Sequence, residues 1–387
     1  MKQLTKNISS HAPVSHLTEL IGLMVSLAIT IVGLIVLSWN CVDLNNFAKG
    51  EENTAVGESY KGRVFAASNL DEIRSIVLEC CTMKWPSVRG QGIQRVLWLG
   101  NSQLHYINQY KPGDHLAPYW LRISYNPDYF EPLGFSLPNA NFQEFYILSQ
   151  FVSDRASLSG LIMELVFDDL REDKIRRDFS KILSADLIES IRRNSKVGAI
   201  ILDRFAMPEK EGKDSGILTG TIQKPVETWL TRQMSSHWHL WAERAKIEGD
   251  FLVGLYYFRN WVFCIKPTSE RKIIKARYNF NMQALSAILE DYRRRKIPVL
   301  MYIAPIRQDH PIPYNLQEYK EWKDELAIMA NRYGAHLVNL ERAVPDDKWG
   351  SYHKDDIDFM HFRGPGHRIV ADELLPHVKG LLKWPKP

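Results

Sequence analysis

Hydrophobic and polar positions change rhythm several times along the chain, and each change marks a predicted element. From Leu20 to Trp39 no residue carries a charge and most are apolar. About 20 such residues, rising about 1.5 Å each, match the roughly 30 Å hydrocarbon core of a bilayer, so a transmembrane helix is predicted here. The run is longer than a signal-peptide apolar region. Asn40 to about Tyr60 is polar with Gly and Asn, a linker composition, and amphipathic spacing then predicts a short helix from Asn69 to Cys80. Arg95-Val-Leu-Trp-Leu99 is a compact apolar run closed by Gly100, and the strand pattern is lost from Leu104 onward. That reads as strand, tight turn, helix.

The same alternation continues to the C-terminus. A strand is predicted at Gly160 to Phe167, followed by a charged segment of helical period from Asp169 to Arg193. A long helix from about Lys272 to Arg295 feeds a strand at Pro298 to Ala304; a helix over Leu316 to Tyr333 feeds another at Ala335 to Leu340; a last helix runs from about Gly366 to Leu382. Strands alternating with helices predict an α/β domain whose parallel sheet is flanked by helices, with reactive groups at the carboxyl ends of its strands. Residues from about 205 to 268 break the rhythm, with a Gly-rich stretch, a Trp-rich helix and the runs Phe251 to Phe258 and Trp261 to Ile265. They read as an insertion whose aromatics either meet a partner, a glycan or the membrane surface, or pack against the sheet. The division is a tail (1–16), an anchor (17–39), a linker with a short helical segment (40–90) and a catalytic domain (91–387).

Composition narrows the picture. Of 387 residues, 45% are hydrophobic and 24% charged, as in a folded chain, and a net charge of +4 with scattered basic residues excludes a nucleic-acid signature. Lys2 and Lys6 precede the apolar run, whereas Asp43, Glu51 and Glu52 join Lys49 after it, so the N-terminus is expected in the cytoplasm and the domain outside it, periplasmic or extracellular. That makes the chain a single-pass protein of the cytoplasmic membrane. Outside the cytoplasm Cys80 or Cys81 can pair with Cys264; buried free thiols are the alternative. No Cys/His ladder has zinc spacing, His237-Trp-His239 lacks a third ligand nearby in sequence, and neither metal nor cofactor is expected.

A serine hydroxyl is a weak nucleophile until a neutral imidazole takes its proton, and the imidazole needs an acceptor on its other nitrogen to fix its tautomer. Ser102 follows a strand and Gly100 in Gly-Asn-Ser, where a tight turn lifts its hydroxyl above the sheet edge and following N–H groups, its own included, face a developing oxyanion. Gly-Asn-Ser is also an ordinary turn sequence. Asp358-Phe-Met-His361 places a carboxylate and an imidazole side by side on one short loop, though an isolated pair of this kind also suits a capped turn with a solvated His. His353 and His367 are rival bases; the Gly-Pro-Gly before His367 marks the opening of a helix, where a His more often packs or caps.

In this order and context, Gly-Asn-Ser102 after the first domain strand and Asp358-x-x-His361 near the C-terminus resemble the SGNH, or GDSL-like, hydrolase superfamily, from about Gln94 to the end. The runs Phe135 to Glu144, Asp168 to Asp173, Ile303 to Arg307 and Trp349-Gly look like its membrane-anchored branch, which includes the D-alanyl transfer protein of teichoic acid modification and accessory proteins of polysaccharide O-acetylation. The resemblance implies a flavodoxin-like three-layer fold, Ser102, Asp358 and His361 as the catalytic set, and oxyanion donors around Asn139, Asn141 and Asp168. An ionised Asp168 repels an oxyanion, and a helix N-cap is its competing role. The implied activity is transfer of a small, acetyl-like acyl group to a glycopolymer beside a membrane-bound O-acyltransferase. An esterase of the same substrates, or a scaffold of an acyltransfer or export complex, is the alternative.

Overall fold

The structure, a computed structural model, describes residues 54–56, 65–82, 93–206, 270–351 and 357–382. The predicted transmembrane helix Leu20–Trp39, His353, Cys264, the pair His237 and His239 and the insertion beyond residue 206 lie outside the described residues, as do the side chains of Cys80 and Cys81. Among the described residues no helix is long and apolar enough to cross a membrane.

In chain order the elements are β1 (Thr54–Val56), β2 (Phe65–Ala67), α1 (Leu70–Thr82), β3 (Gln94–Gly100), α2 (Ser102–His105), β4 (Tyr106–Asn108), α3 (Ala117–Tyr125), β5 (Phe130–Ser136), α4 (Phe142–Arg155) and β6 (Gly160–Leu165). There follow α5 (Ala185–Asn194), α6 (Lys196–Ala206), α7 (Lys275–Arg294), β7 (Val299–Ile303), α8 (Leu316–Tyr333), β8 (His336–Asn339), β9 (Trp349–Ser351), β10 (Ile357–Phe362) and α9 (Gly364–Leu381). Six strands form one parallel sheet in the order β2-β5-β3-β6-β7-β8. From β5 to β8 this is the flavodoxin-like doubly wound order, and the chain reverses direction around β3, which puts the topological switch point at the carboxyl end of that strand.

Side chains alternate across the sheet with the period of two that strand geometry imposes. Leu97 and Leu99 enter one buried layer with residues of α1, α4, α7 and α8, while Val96 and Trp98 enter the opposite layer with residues of α3 and α9. Both faces are therefore covered, and truncating a fully buried residue such as Leu97 to Ala is expected to cost about 2–5 kcal/mol. Caps sharpen the helix ends. Asn315 Oδ1 accepts the N–H groups of Gln317 and Glu318 to open α8, and Gly334, at φ 69°, closes it in the left-handed conformation.

Three regions differ from the sequence expectation. Residues 65–82, read as linker and short helix, belong to the domain: β2 is the edge strand of the sheet, and Ile73 and Val77 of α1 are fully buried. The helical period over Asp169 to Arg193 yields two 3-10 turns, Phe167–Arg171 and Arg177–Lys181, with an α-helix only after Ser184, whose Oγ accepts the Leu187 N–H. Asp169, within the first of these turns, is drawn into the interior rather than solvated on a helix face. Finally β5 lies inside the sheet despite Pro132 and Gly134. Among the described residues β2 pairs with Leu133 to Phe135 and none of them faces Pro132 on that side, where a proline is tolerated for want of a ladder hydrogen bond to donate.

Candidate functional site

Ser102 opens α2 at the carboxyl end of β3 and is half-buried, so its hydroxyl remains reachable. Gly100 is required by close approach: a Cβ there would lie 2.7 Å from Leu104 Cδ2 and 2.8 Å from Glu164 Oε2. Asn101 fixes the turn through its side-chain amide and its backbone N–H. Its Oδ1 accepts the Gln103 N–H at 2.9 Å, its backbone N–H donates to Glu164 Oε2 at 2.9 Å, and its Nδ2 donates to Asp169 Oδ1 at 3.3 Å. Glu164 Oε1 accepts the Tyr302 hydroxyl at 3.2 Å, and Trp98 Nε1–H donates to the same hydroxyl oxygen at 3.3 Å. Burial pushes the Glu164 carboxyl up to about 8, opposed by the Asn101 N–H and the Tyr302 hydroxyl. Burial likewise holds Asp169 well above the carboxylate range, and the neighbouring carboxylates reinforce it.

Asp358 and His361 lie on β10, and α2 packs against that strand. Asp358 Oδ1 accepts the N–H groups of Met360 at 2.8 Å and His361 at 3.0 Å, which folds the segment so that Oδ2 meets His361 Nδ1 at 3.0 Å. Burial alone raises the Asp358 carboxyl, but the imidazole bond and the two N–H groups outweigh it, and the group sits below its ordinary value. An ionised carboxylate on Nδ1 fixes the tautomer that leaves Nε2 as the basic nitrogen. Asn108, fully buried on β4, adds a third anchor by donating Nδ2–H to Asp358 Oδ2 at 2.7 Å. Gly350 on β9 covers that amide so closely that a Cβ would fall 2.0 Å from Asn108 Cγ. Tyr106 joins the two halves: its N–H bonds to the Ser102 carbonyl, and its ring meets the His361 ring edge-on at 5.8 Å between centroids.

The rival His367 is buried, donates Nε2–H to the Tyr106 carbonyl at 3.2 Å, and is pushed down to about 3 by burial, so it packs as its place at a helix start implied. Two oxyanion candidates require correction. Asn141 caps α4, its Oδ1 taking the Gln143 and Glu144 N–H groups while its Nδ2 donates to the Lys174 carbonyl at 2.9 Å, so its amide is already engaged. Asp168 is ion-paired with Arg171 at 3.2 Å and with Arg271, which ties the segment after β6 to the chain ahead of α7 and leaves it a loop-holding role. Asn139 is exposed at φ 55° on the turn after β5, and the Leu137 N–H bond to the Gly100 carbonyl at 3.2 Å keeps this turn beside the Ser102 turn. Sequence reasoning missed Asn108 and Glu164. Glu164, a carboxylate within the apolar run from Gly160, carried a signal; Asn108 carried none.

Among the described residues no group of His, Cys, Asp and Glu is placed to hold a metal ion. A hollow of about 780 Å³ opens at the amino ends of the strands beside Ser159, Pro298 and Gly334, away from every candidate residue. Ligands of open parallel sheets sit at the other end.

No protein-family profile matches the chain, and no curated protein does. Solved structures give loose similarity. A GDSL-like lipase from Bacteroides thetaiotaomicron is 11% identical at a TM-score of 0.36, covering 80% of this chain and 97% of its own. A carbohydrate acetylesterase family member from Sinorhizobium meliloti is 12% identical at 0.33, covering 76% of this chain and 100% of its own. AlinE4, an SGNH-hydrolase family esterase, is 14% identical at 0.31, covering 76% of this chain and 98% of its own.

Proposed function

We propose that the chain is a membrane-anchored, extracytoplasmic serine acyl-ester enzyme that passes a small acyl group to a glycopolymer. The observation that carries the reading is the buried Asp358 carboxylate on His361 Nδ1, on a strand packed against the helix that Ser102 opens. In the forward step Ser102 Oγ attacks the acyl carbon as its proton passes to His361 Nε2; the ester C–O bond breaks and the departing oxygen takes that proton. A sugar hydroxyl then repeats the sequence, giving its proton to His361 and releasing Ser102. The Ser102 N–H and Asn139 are the proposed oxyanion donors. Transfer rather than hydrolysis, the glycopolymer, the anchor and an O-acyltransferase partner are supported by the sequence resemblance and by the apolar run Leu20 to Trp39.

The test is turnover of an aryl acetate by the detergent-solubilised full chain, with and without a glycan acceptor. Ser102→Ala is expected to lower kcat by several orders of magnitude. Wild-type-like turnover in that variant sinks the serine mechanism, and hydrolysis indifferent to acceptor sinks the transferase assignment.

A further inference from the structure

A small cavity of about 20 Å³ lies at the carboxyl ends of β6 and β7, and its walls are contributed by the neighbours of all three proposed catalytic residues. Gln103 follows Ser102, Phe359 follows Asp358 and Met360 precedes His361; Leu165, Phe167 and Ile306 are among the residues that complete it. We propose that this cavity is the acyl pocket, and that its size restricts the enzyme to acetyl. The inference rests on the proposed serine mechanism and adds to it the residues that measure the acyl chain.

Placement comes first. An acyl group bonded to Ser102 Oγ projects its chain from the carbonyl carbon, and the side chain next along the backbone from Ser102 already forms one wall. Phe359 and Met360, on the strand that carries His361, contribute to the wall as well. Size comes second. On a scale where about 10–15 Å³ accommodates one water-sized group, the cavity takes one methyl and little more.

Rigidity decides whether a longer chain can force entry. Leu165 and Phe167 are fully buried, and Ile306 and Phe359 nearly so. Gln103 is also buried, and its Nε2–H is held by the Pro305 carbonyl at 3.0 Å. Walls packed this closely relax only in part, so each added methylene meets fixed atoms rather than solvent. Apart from Gln103, Tyr314 and Tyr319 the lining side chains are apolar, and none is charged, which admits an alkyl group and disfavours a charged one.

The experiment measures kcat/KM of the full chain on the p-nitrophenyl esters of acetate, propionate and butyrate, with Ser102→Ala as the background. The expected wild-type result is a fall of about 10- to 200-fold for each added methylene. Met360→Ala and Ile306→Ala, which enlarge the cavity from two sides, are expected to raise the propionate-to-acetate ratio by at least about 10-fold. A Ser102-dependent profile that is flat from acetate to butyrate overturns the pocket and leaves the serine mechanism standing. So does a steep profile that neither variant alters while both retain wild-type circular dichroism. If both variants fail to fold, the wild-type profile alone decides. Loss of Ser102-dependent turnover across the whole series overturns the mechanism and this inference together.

Discussion

The two halves of the candidate site are held by different means. Ser102 grows out of the central sheet, and its turn is fixed by Asn101, Glu164, Asp169, Tyr302 and Trp98, a buried network drawn from three adjacent strands and the turn after β6. Asp358 and His361 sit instead on a two-stranded antiparallel sheet beside the main one, where they orient each other three positions apart and the Asn108 amide steadies the carboxylate. The position of Ser102 is thus a property of the central sheet, and that of His361 is a property of one short strand. Damage to the strand should appear in rate with little loss of stability. Damage beneath Ser102 should appear in stability and its pH dependence.

The sharpest break of this contrast is Asp358→Asn. An amide leaves the shape intact but stabilises the wrong imidazole tautomer, and kcat on an aryl acetate is expected to fall by about 10⁴-fold with a near-native urea midpoint. A loss smaller than 10-fold would mean that another group orients the base. Asn108→Ala comes next. Asp358 keeps the imidazole and two N–H groups, so only one charge-assisted bond is lost, on the order of 1.5–3 kcal/mol or about 10- to 100-fold, in kcat more than in KM. A change confined to KM would remove Asn108 from the orienting group. Gly350→Ala should reproduce part of that kinetic defect by displacing the same amide, with about 1–3 kcal/mol of lost stability. Activity equal to wild type there would show that the β9 cover plays no part in orienting Asp358.

This division also explains what was legible in the sequence. The α/β alternation was, because strands such as Val299–Ile303 are buried on both faces and read as unbroken apolar runs, while α8 begins at Asn315 and ends at Gly334 with ordinary cap chemistry. The Asp358–His361 contact was, because both partners lie three positions apart, although the segment expected to be a loop is the strand β10. Hidden were contacts made across long separations: Asn108 meets Asp358 from 250 positions away, and a lone Asn in a strand has no pattern to betray that. Helix α4 escaped notice for another reason. From Phe142 to Val152 it is buried on every side, Gln143, Glu144, Ser149 and Gln150 included, so it shows no apolar stripe. Asn141 and Asp168 were misplaced because their blocks marked where a donor belongs but not that one amide would cap α4 and one carboxylate would pair with two arginines.

The smallest expected effect tests the other half of the comparison. Glu164 has its carboxyl raised from 4.5 to about 8 by burial, against the opposing bonds from Asn101 and Tyr302. Between those two values the folded chain holds a proton that the unfolded chain has released, so stability falls as pH rises through the window, by up to about 1.4 kcal/mol per unit. Below it both states are protonated and above it both are ionised, so the Glu164 contribution is flat outside. Glu164→Gln cannot titrate, and its amide oxygen can still accept the Asn101 N–H while its NH2 reaches the Tyr302 oxygen. Urea unfolding of variant and wild type at pH 5, 6, 7 and 8 isolates this group, since every other titration is common to both. The variant is expected to gain on the wild type steadily as pH rises. A constant difference across the series would mean that Glu164 is ionised throughout, and the turn beneath Ser102 would then be held by a charge rather than by a protonated, fully buried acid.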